Sequence, residues 1–258
     1  MRKMLRFPVR VSIWMFVASV TLSLPAFGAE GVNLAWNHCF GEGTAVQNLT
    51  FACDTNVGSR VMTGSFVPGR DLTDIIGLEI VVDLASASVT LPPWWQFRNP
   101  GSCRLFSLKT NPAPDPSDVV CVDWSAGQAQ AGLAVYCVSG ALCQNPAANA
   151  ARMLVTSVVT AGLDLTAFTE YFAFRFGIDN ANTVGTGSCA GCEVPVCIVL
   201  NSIDIVSRDN LGSRKLTTAS QPGSNFIAWQ GGAVGGPGCP AATATHHSAW
   251  GEVKSLYR

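Results

Sequence analysis

Charge is scarce in this chain of 258 residues: Asp, Glu, Lys and Arg together make up only 13%. There are three histidines, His38, His246 and His247. The sequence has no Gly-x-Ser-x-Gly elbow, no Gly-x-x-x-x-Gly-Lys phosphate loop and no His-Glu-x-x-His pair. These absences argue against a serine-hydrolase elbow, a phosphate-cradling loop and a zinc-protease helix. With His38 beside Cys39 and the other two histidines near the C-terminus, a Ser-His-Asp triad is disfavoured. No basic stripe is visible, so the chain has no electrostatic footprint for nucleic acid. Nor does any segment carry a long helical apolar stripe.

The one long apolar run is at the N-terminus. Arg2, Lys3, Arg6 and Arg10 precede Val11–Leu24, and Pro25, Ala26, Gly28 and Ala29 follow. Charge, length and small-residue flank define a signal peptide over 1–28. The run is shorter than the ~20 residues of a membrane span, so cleavage is favoured over a retained anchor. No stable membrane insertion is expected afterwards. Loss of the four basic residues leaves 12 against 17 acids, a net charge near −5. About 230 residues remain, enough for one large β-domain with its own core. The expected location is secreted, either extracellular or periplasmic.

Ten cysteines lie beyond the signal: Cys39, Cys53, Cys103, Cys121, Cys137, Cys143, Cys189, Cys192, Cys197 and Cys239. In an exported chain an even set implies disulfides. Proximity suggests Cys39 with Cys53, Cys103 with Cys121, and Cys137 with Cys143. Two further pairs would then come from Cys189, Cys192, Cys197 and Cys239. A ~15-residue loop closed this way would contribute about 3 kcal/mol by the chain-entropy estimate. The Cys189-Ala-Gly-Cys192 spacing also admits a redox pair or, with Cys197 and Cys239, a zinc site. A redox pair needs a strand-to-helix context, whereas this motif runs into a strand. A zinc site is better signalled by two Cys-x2-Cys units, and only one exists. The motif therefore reads as a staple; no metal, cofactor or catalytic residue is assigned.

Period-2 patterning dominates the rest. Leu78, Ile80, Val82 and Leu84 share one strand face, with Glu79 and Asp83 opposite. Phe172, Phe174, Phe176 and Ile178 form another face, with Tyr171 and Arg175 opposite. Arg152–Val159 alternates more weakly, and Val196–Val206 is apolar on both faces, as in a covered central strand. Shorter candidates are Leu49–Ala52, Val61–Val67, Trp94–Phe97, Leu133–Val138 and Phe226–Trp229. Gly, Pro, Asn and Asp punctuate the gaps, and Asn99–Ser117 reads as a Pro-rich surface loop. The predicted architecture is an all-β, two-sheet sandwich or jelly roll over 29–230, stapled by disulfides. Residues 231–258 read as a Gly/Pro-rich linker with a short amphipathic tail.

Trp94 and Trp95 are adjacent. On a strand their rings would point to opposite faces, leaving one exposed or covered by the following loop. An exposed ring could stack on sugar, with Gln96 and Arg98 as polar partners, which makes Trp94, Trp95, Gln96 and Arg98 the candidate ligand-binding residues. Glycoside hydrolysis would need two carboxylates roughly 5–10 Å apart. Glu79 and Asp83 lie about 13 Å apart along one strand, which is too far. Asp123, Asp164, Glu170, Asp179 and Asp204 remain available from other segments. Asp179-Asn-Ala-Asn182 and Asp209-Asn210 are oxygen-rich but match no complete calcium loop, and turn formation accounts for them.

Several segments carry a resemblance: Gly64-Ser-Phe-Val-Pro68, Gly77–Leu84, Pro93–Phe97, Gly101–Arg104, Cys189–Cys192, Pro195–Ile203 and the tail Trp250–Arg258. By these the chain resembles a group of uncharacterised secreted bacterial proteins with a disulfide-rich β-domain and a Trp-Gly-x-x-Lys-Ser-Leu-Tyr-Arg tail. The resemblance implies export and a shared fold, and it transfers no activity. The expectation is a secreted, non-catalytic extracellular domain for binding, adhesion or surface structure, its partner a glycan or cell-surface component. The alternative is a secreted hydrolase acting on glycans.

Overall fold

The computed structural model describes residues 29–98, 100–138 and 147–231. The signal segment 1–28, Cys143, Cys239 and residues 232–258 lie outside these described residues. The chain is all-β. The strands in order are β1 (Gly31–Trp36), β2 (Asn48–Leu49), β3 (Ser59–Val67), β4 (Leu72–Ser86), β5 (Leu108–Asn111), β6 (Val122–Asp123), β7 (Gln130–Cys137), β8 (Ala150–Leu165), β9 (Tyr171–Asp179), β10 (Val196–Ser207), β11 (Arg214–Leu216) and β12 (Phe226–Trp229). The smaller sheet runs β1-β3-β9-β5, with β6 parallel to the start of β9. The larger runs β2-β12-β10-β4-β8-β7, with β11 added to β10. The two sheets pack face to face as a disulfide-stapled sandwich. Among the described residues no helix is long and apolar enough to cross a membrane.

The core follows the predicted alternation where strands are regular. Leu78, Ile80, Val82 and Leu84 of β4 are all buried, with Glu79 and Asp83 on the outer face. Met153 and Val155 of the neighbouring β8 continue that layer. β12 spans the predicted Phe226–Trp229.

Two bulges break the pattern elsewhere. In β10 the register slips between Leu200 and Ser202. Ile198 and Leu200 face the core before the slip, Ile203 and Ile205 after it. An inserted residue reverses the side-chain parity, which is one reason this segment reads as apolar on both faces. In the β3–β9 pair, Gly64 opposes Phe174 but Ser65 opposes Phe172. Phe174, Phe176 and Ile178 stay in the main core, as predicted. Phe172 instead packs with Cys39 and Cys121 in a separate cluster, and Tyr171 joins the core against Phe66. Gly64 has no alternative here, because a Cβ would lie 2.1 Å from the Phe174 ring.

Three expectations require correction. Trp94–Phe97 is not a strand: Pro93–Trp95 forms a 3₁₀ turn, which Pro at its first position favours. The Asn99–Ser117 stretch is not all loop, since β5 adds to the smaller sheet. The proximity pairings Cys39–Cys53 and Cys103–Cys121 fail, as does pairing Cys189 and Cys192 within the group Cys189, Cys192, Cys197 and Cys239. Cys39 pairs with Cys121, Cys53 with Cys192 and Cys103 with Cys189, at separations of 82, 139 and 86 residues. The sheet topology brings sequence-distant loops together, so proximity along the chain is a poor guide. Cys137 and Cys197 are also disulfide-bonded; the proposed Cys137–Cys143 bond involves a residue outside those described.

Candidate functional site

The predicted binding residues form a structural hub. Trp94 and Trp95 are both fully buried. Their rings cluster with Trp229, with centroids 4.8 to 5.4 Å apart. The Trp94 indole N–H donates to Thr183 Oγ1 at 3.1 Å, and that of Trp229 to the Cys192 carbonyl at 2.6 Å. Gln96 folds back onto the Leu91 carbonyl, and Arg98 is exposed at positive φ. Neither Trp ring presents a face to solvent, so the stacking platform expected at Trp94 or Trp95 is absent.

The Cys189–Cys192 motif closes this hub from outside. The Trp94 N–H bonds the Ala190 carbonyl at 3.0 Å. Gly191 has a φ of +104°, and a Cβ there would sit 2.2 Å from Pro92. Only glycine meets both demands. Cys189 and Cys192 leave in different directions, to Cys103 and Cys53. That pairing removes both from a mutual redox pair and from a zinc site. Among the described residues, Cys39, Asp118 and Cys121 are grouped at metal-ligand spacing, but the two sulfurs are joined in a disulfide.

A cleft of about 510 Å³ opens beside the hub, lined by Ser102–Ser107, Lys109, Asp179, Ala181 and Asn182. Its walls are fixed. Cys103 is tied to Cys189, Asn182 donates to the Cys103 carbonyl at 2.5 Å, and the Asp179 N–H bonds the Ser107 carbonyl at 2.8 Å. Arg104 is wholly buried with its guanidinium 3.9 Å from the Trp94 ring. It donates to the carbonyls of Ala181 and Asp179. Burial pulls its pKa down to about 10, against the pull of the Asp179 charge, so it stays cationic at neutral pH. Among the described residues, Arg104 Nε and Ser102 Oγ have no hydrogen-bond partner. Lys109 Nζ lies 2.6 Å from Asp179 Oδ2, with the lysine side chain 67% exposed. Phe106 is 82% exposed. The Gly101–Arg104 segment gave no chemical signal in the sequence, and Phe106 carried no pattern to single it out.

The carboxylates named earlier do not converge on that cleft, Asp179 apart. Asp123 caps its own turn at Ser125 and Gly127. Asp164 accepts the Asp74 N–H. Glu79 faces Asp204 across β4 and β10, and Lys215 faces Asp204 from β11, on the outer face of the larger sheet. Burial first, then Asp204, raises the Glu79 pKa. Glu170 is also raised by burial, while Ser65 and Asn33 donate to it at 2.5 and 3.2 Å. Asp209 accepts N–H groups from Leu211 and Gly212, as a turn residue does.

One pair was missed. His38 Nδ1 lies 2.6 Å from Asp118 Oδ1. The Asp118 side chain is fully buried and that of His38 is partly exposed. The adjoining Cys39–Cys121 bond joins the two segments, 80 residues apart for this pair, and proximity pairing of cysteines hid it.

The fold and these sites define a disulfide-stapled β-sandwich with a loop cleft. No protein-family model matches the chain, and no curated protein matches it.

Proposed function

We propose that the protein is an exported, non-catalytic binding domain, secreted to the extracellular space or periplasm, that takes an extracellular glycan or cell-surface component in the cleft at Ser102–Ser107. The observation that carries this reading is Phe106, a large apolar ring held out in solvent by a loop whose neighbours are locked in place. Exposed aromatic surface beside fixed polar groups is how small-ligand sites combine affinity with orientation. The three described disulfides suit an oxidising compartment, and the signal peptide over 1–28 supplies the route. Kinship with the group of secreted β-domain proteins rests on the segments quoted above and belongs to the same proposal. Affinity electrophoresis of disulfide-intact protein through embedded polysaccharides tests it. Retardation that is lost in Phe106→Ala supports the reading; free migration through every glycan overturns it.

A second reading, glycan hydrolysis, draws on His38. A buried carboxylate at Nδ1 fixes the imidazole's orientation, as it does for a general base. Reducing-end release by wild type and not by His38→Ala would favour this reading over the first. No release by either would exclude it.

A further inference from the structure

We infer that the cleft selects an anionic saccharide, a sugar acid whose ring lies on Phe106 while its carboxylate meets Lys109 and Arg104. The inference rests on the binding reading above and adds the ligand's charge. Three charged side chains line the cleft, Arg104, Lys109 and Asp179, so its formal charge is +1. That sign opposes the chain as a whole, which is net negative at pH 7. A local cationic site on an acidic protein draws anions that the remaining surface repels.

The positions of the donors sharpen this. Arg104 spends its terminal nitrogens on two backbone carbonyls, and its Nε has no partner among the described residues, although the residue is fully buried. A buried N–H left unpaired is costly, and a ligand oxygen would relieve that cost. Ser102 Oγ is a second such group. The guanidinium itself is braced against Trp94, so its charge is fixed within the cleft wall. Among the described residues Lys109 is paired with Asp179, and its side chain is 67% exposed. An exposed pair of this kind is weak, so a ligand carboxylate can compete for the ammonium. Phe106 supplies the apolar surface for a pyranose ring's C–H face. The cleft volume, about 510 Å³, is within the roughly 300–1,000 Å³ of small-ligand sites.

The test compares one backbone in two charge states: a tetramer of galacturonic acid and the same tetramer as its methyl ester. Binding to the full, oxidised protein is measured by calorimetry at low and at physiological salt. The acid form is expected to bind at least tenfold more tightly than the ester and to weaken with salt. Phe106→Ala is expected to weaken it about tenfold, and Lys109→Ala by about fivefold. Asp179→Asn frees Lys109 and removes the one negative group, so it is expected to tighten binding several-fold, a gain that a merely structural role for Asp179 cannot produce. Equal binding of acid and ester, still lost in Phe106→Ala, overturns the charge inference and leaves the binding reading standing. No binding of either form, together with free migration through all other glycans, overturns both.

Discussion

Arg104 separates two aromatic environments that lie within a dozen residues of each other. On one side, Trp94 and Trp95 are wholly buried, packed on Trp229 and closed by the Cys189–Cys192 segment. On the other, Phe106 stands almost fully in solvent at the mouth of a cleft. The sequence made the tandem tryptophans conspicuous and Phe106 ordinary, yet the conspicuous rings hold the fold and the ordinary one is available to a ligand. Residue type alone does not separate the roles; burial does. A buried Trp contributes through excluded area and close packing. An exposed Phe contributes almost nothing to folding, which leaves its ring available to a ligand.

The contrast can be broken or sharpened by measurement. The largest effect is expected from opening the staple behind the hub. Cys53 and Cys192 are 139 residues apart, and a loop of that length corresponds to about 5 kcal/mol in the chain-entropy estimate. The Cys53→Ser/Cys192→Ser double variant should lose most of this in urea unfolding. A loss under about 1 kcal/mol would show that the hub stands without its staple.

Next comes Trp94→Ala, expected to cost about 3–5 kcal/mol through the cavity and the lost seat of Arg104. Chemical denaturation reads it directly, and a cost near zero would place the ring outside the core. Gly191→Ala follows at about 2 kcal/mol, because the added methyl needs a strained φ and meets Pro92. An unchanged unfolding midpoint would contradict the packing of the motif on the turn.

A smaller effect belongs to neither region and sets the background. Burial raises the folded pKa of Glu170 above its ordinary 4.5. Between those two values the folded protein holds more proton than the unfolded chain, so stability from this group falls as pH rises through that window. The slope cannot exceed about 1.4 kcal/mol per pH unit. Glu170→Gln should flatten the stability profile there. A profile unchanged by the substitution would show that the group is not desolvated.

Much of the sandwich was legible because burial on one face imposes a period of two. Leu78–Leu84 was read correctly for that reason, and Phe226–Trp229 as a short apolar run bounded by turn residues. β1 went unread although Val32, Leu34 and Trp36 alternate with Asn33 and Ala35. Bulges were not legible, since one inserted residue at Asn201 or Ala173 leaves composition unchanged and reverses every side chain beyond it. Pro92-Pro93 is turn chemistry, but the aromatic run after it looked strand-like and decided the reading. The cysteine pairings depended on which loops the sheets bring together, and the modest growth of closure cost with length lets distant residues pair. The cleft was hidden for the same reason: Lys109, Asp179 and Arg104 meet only because β5 lies against β9.

On the proposed reading the exposed ring serves binding while the buried rings serve folding. Phe106→Ala, assayed for both properties on the same oxidised sample, tests it most directly. The account predicts an unfolding free energy within about 0.5 kcal/mol of wild type and loss of retardation on the anionic glycan. A clear loss of stability, or unchanged binding, would contradict it.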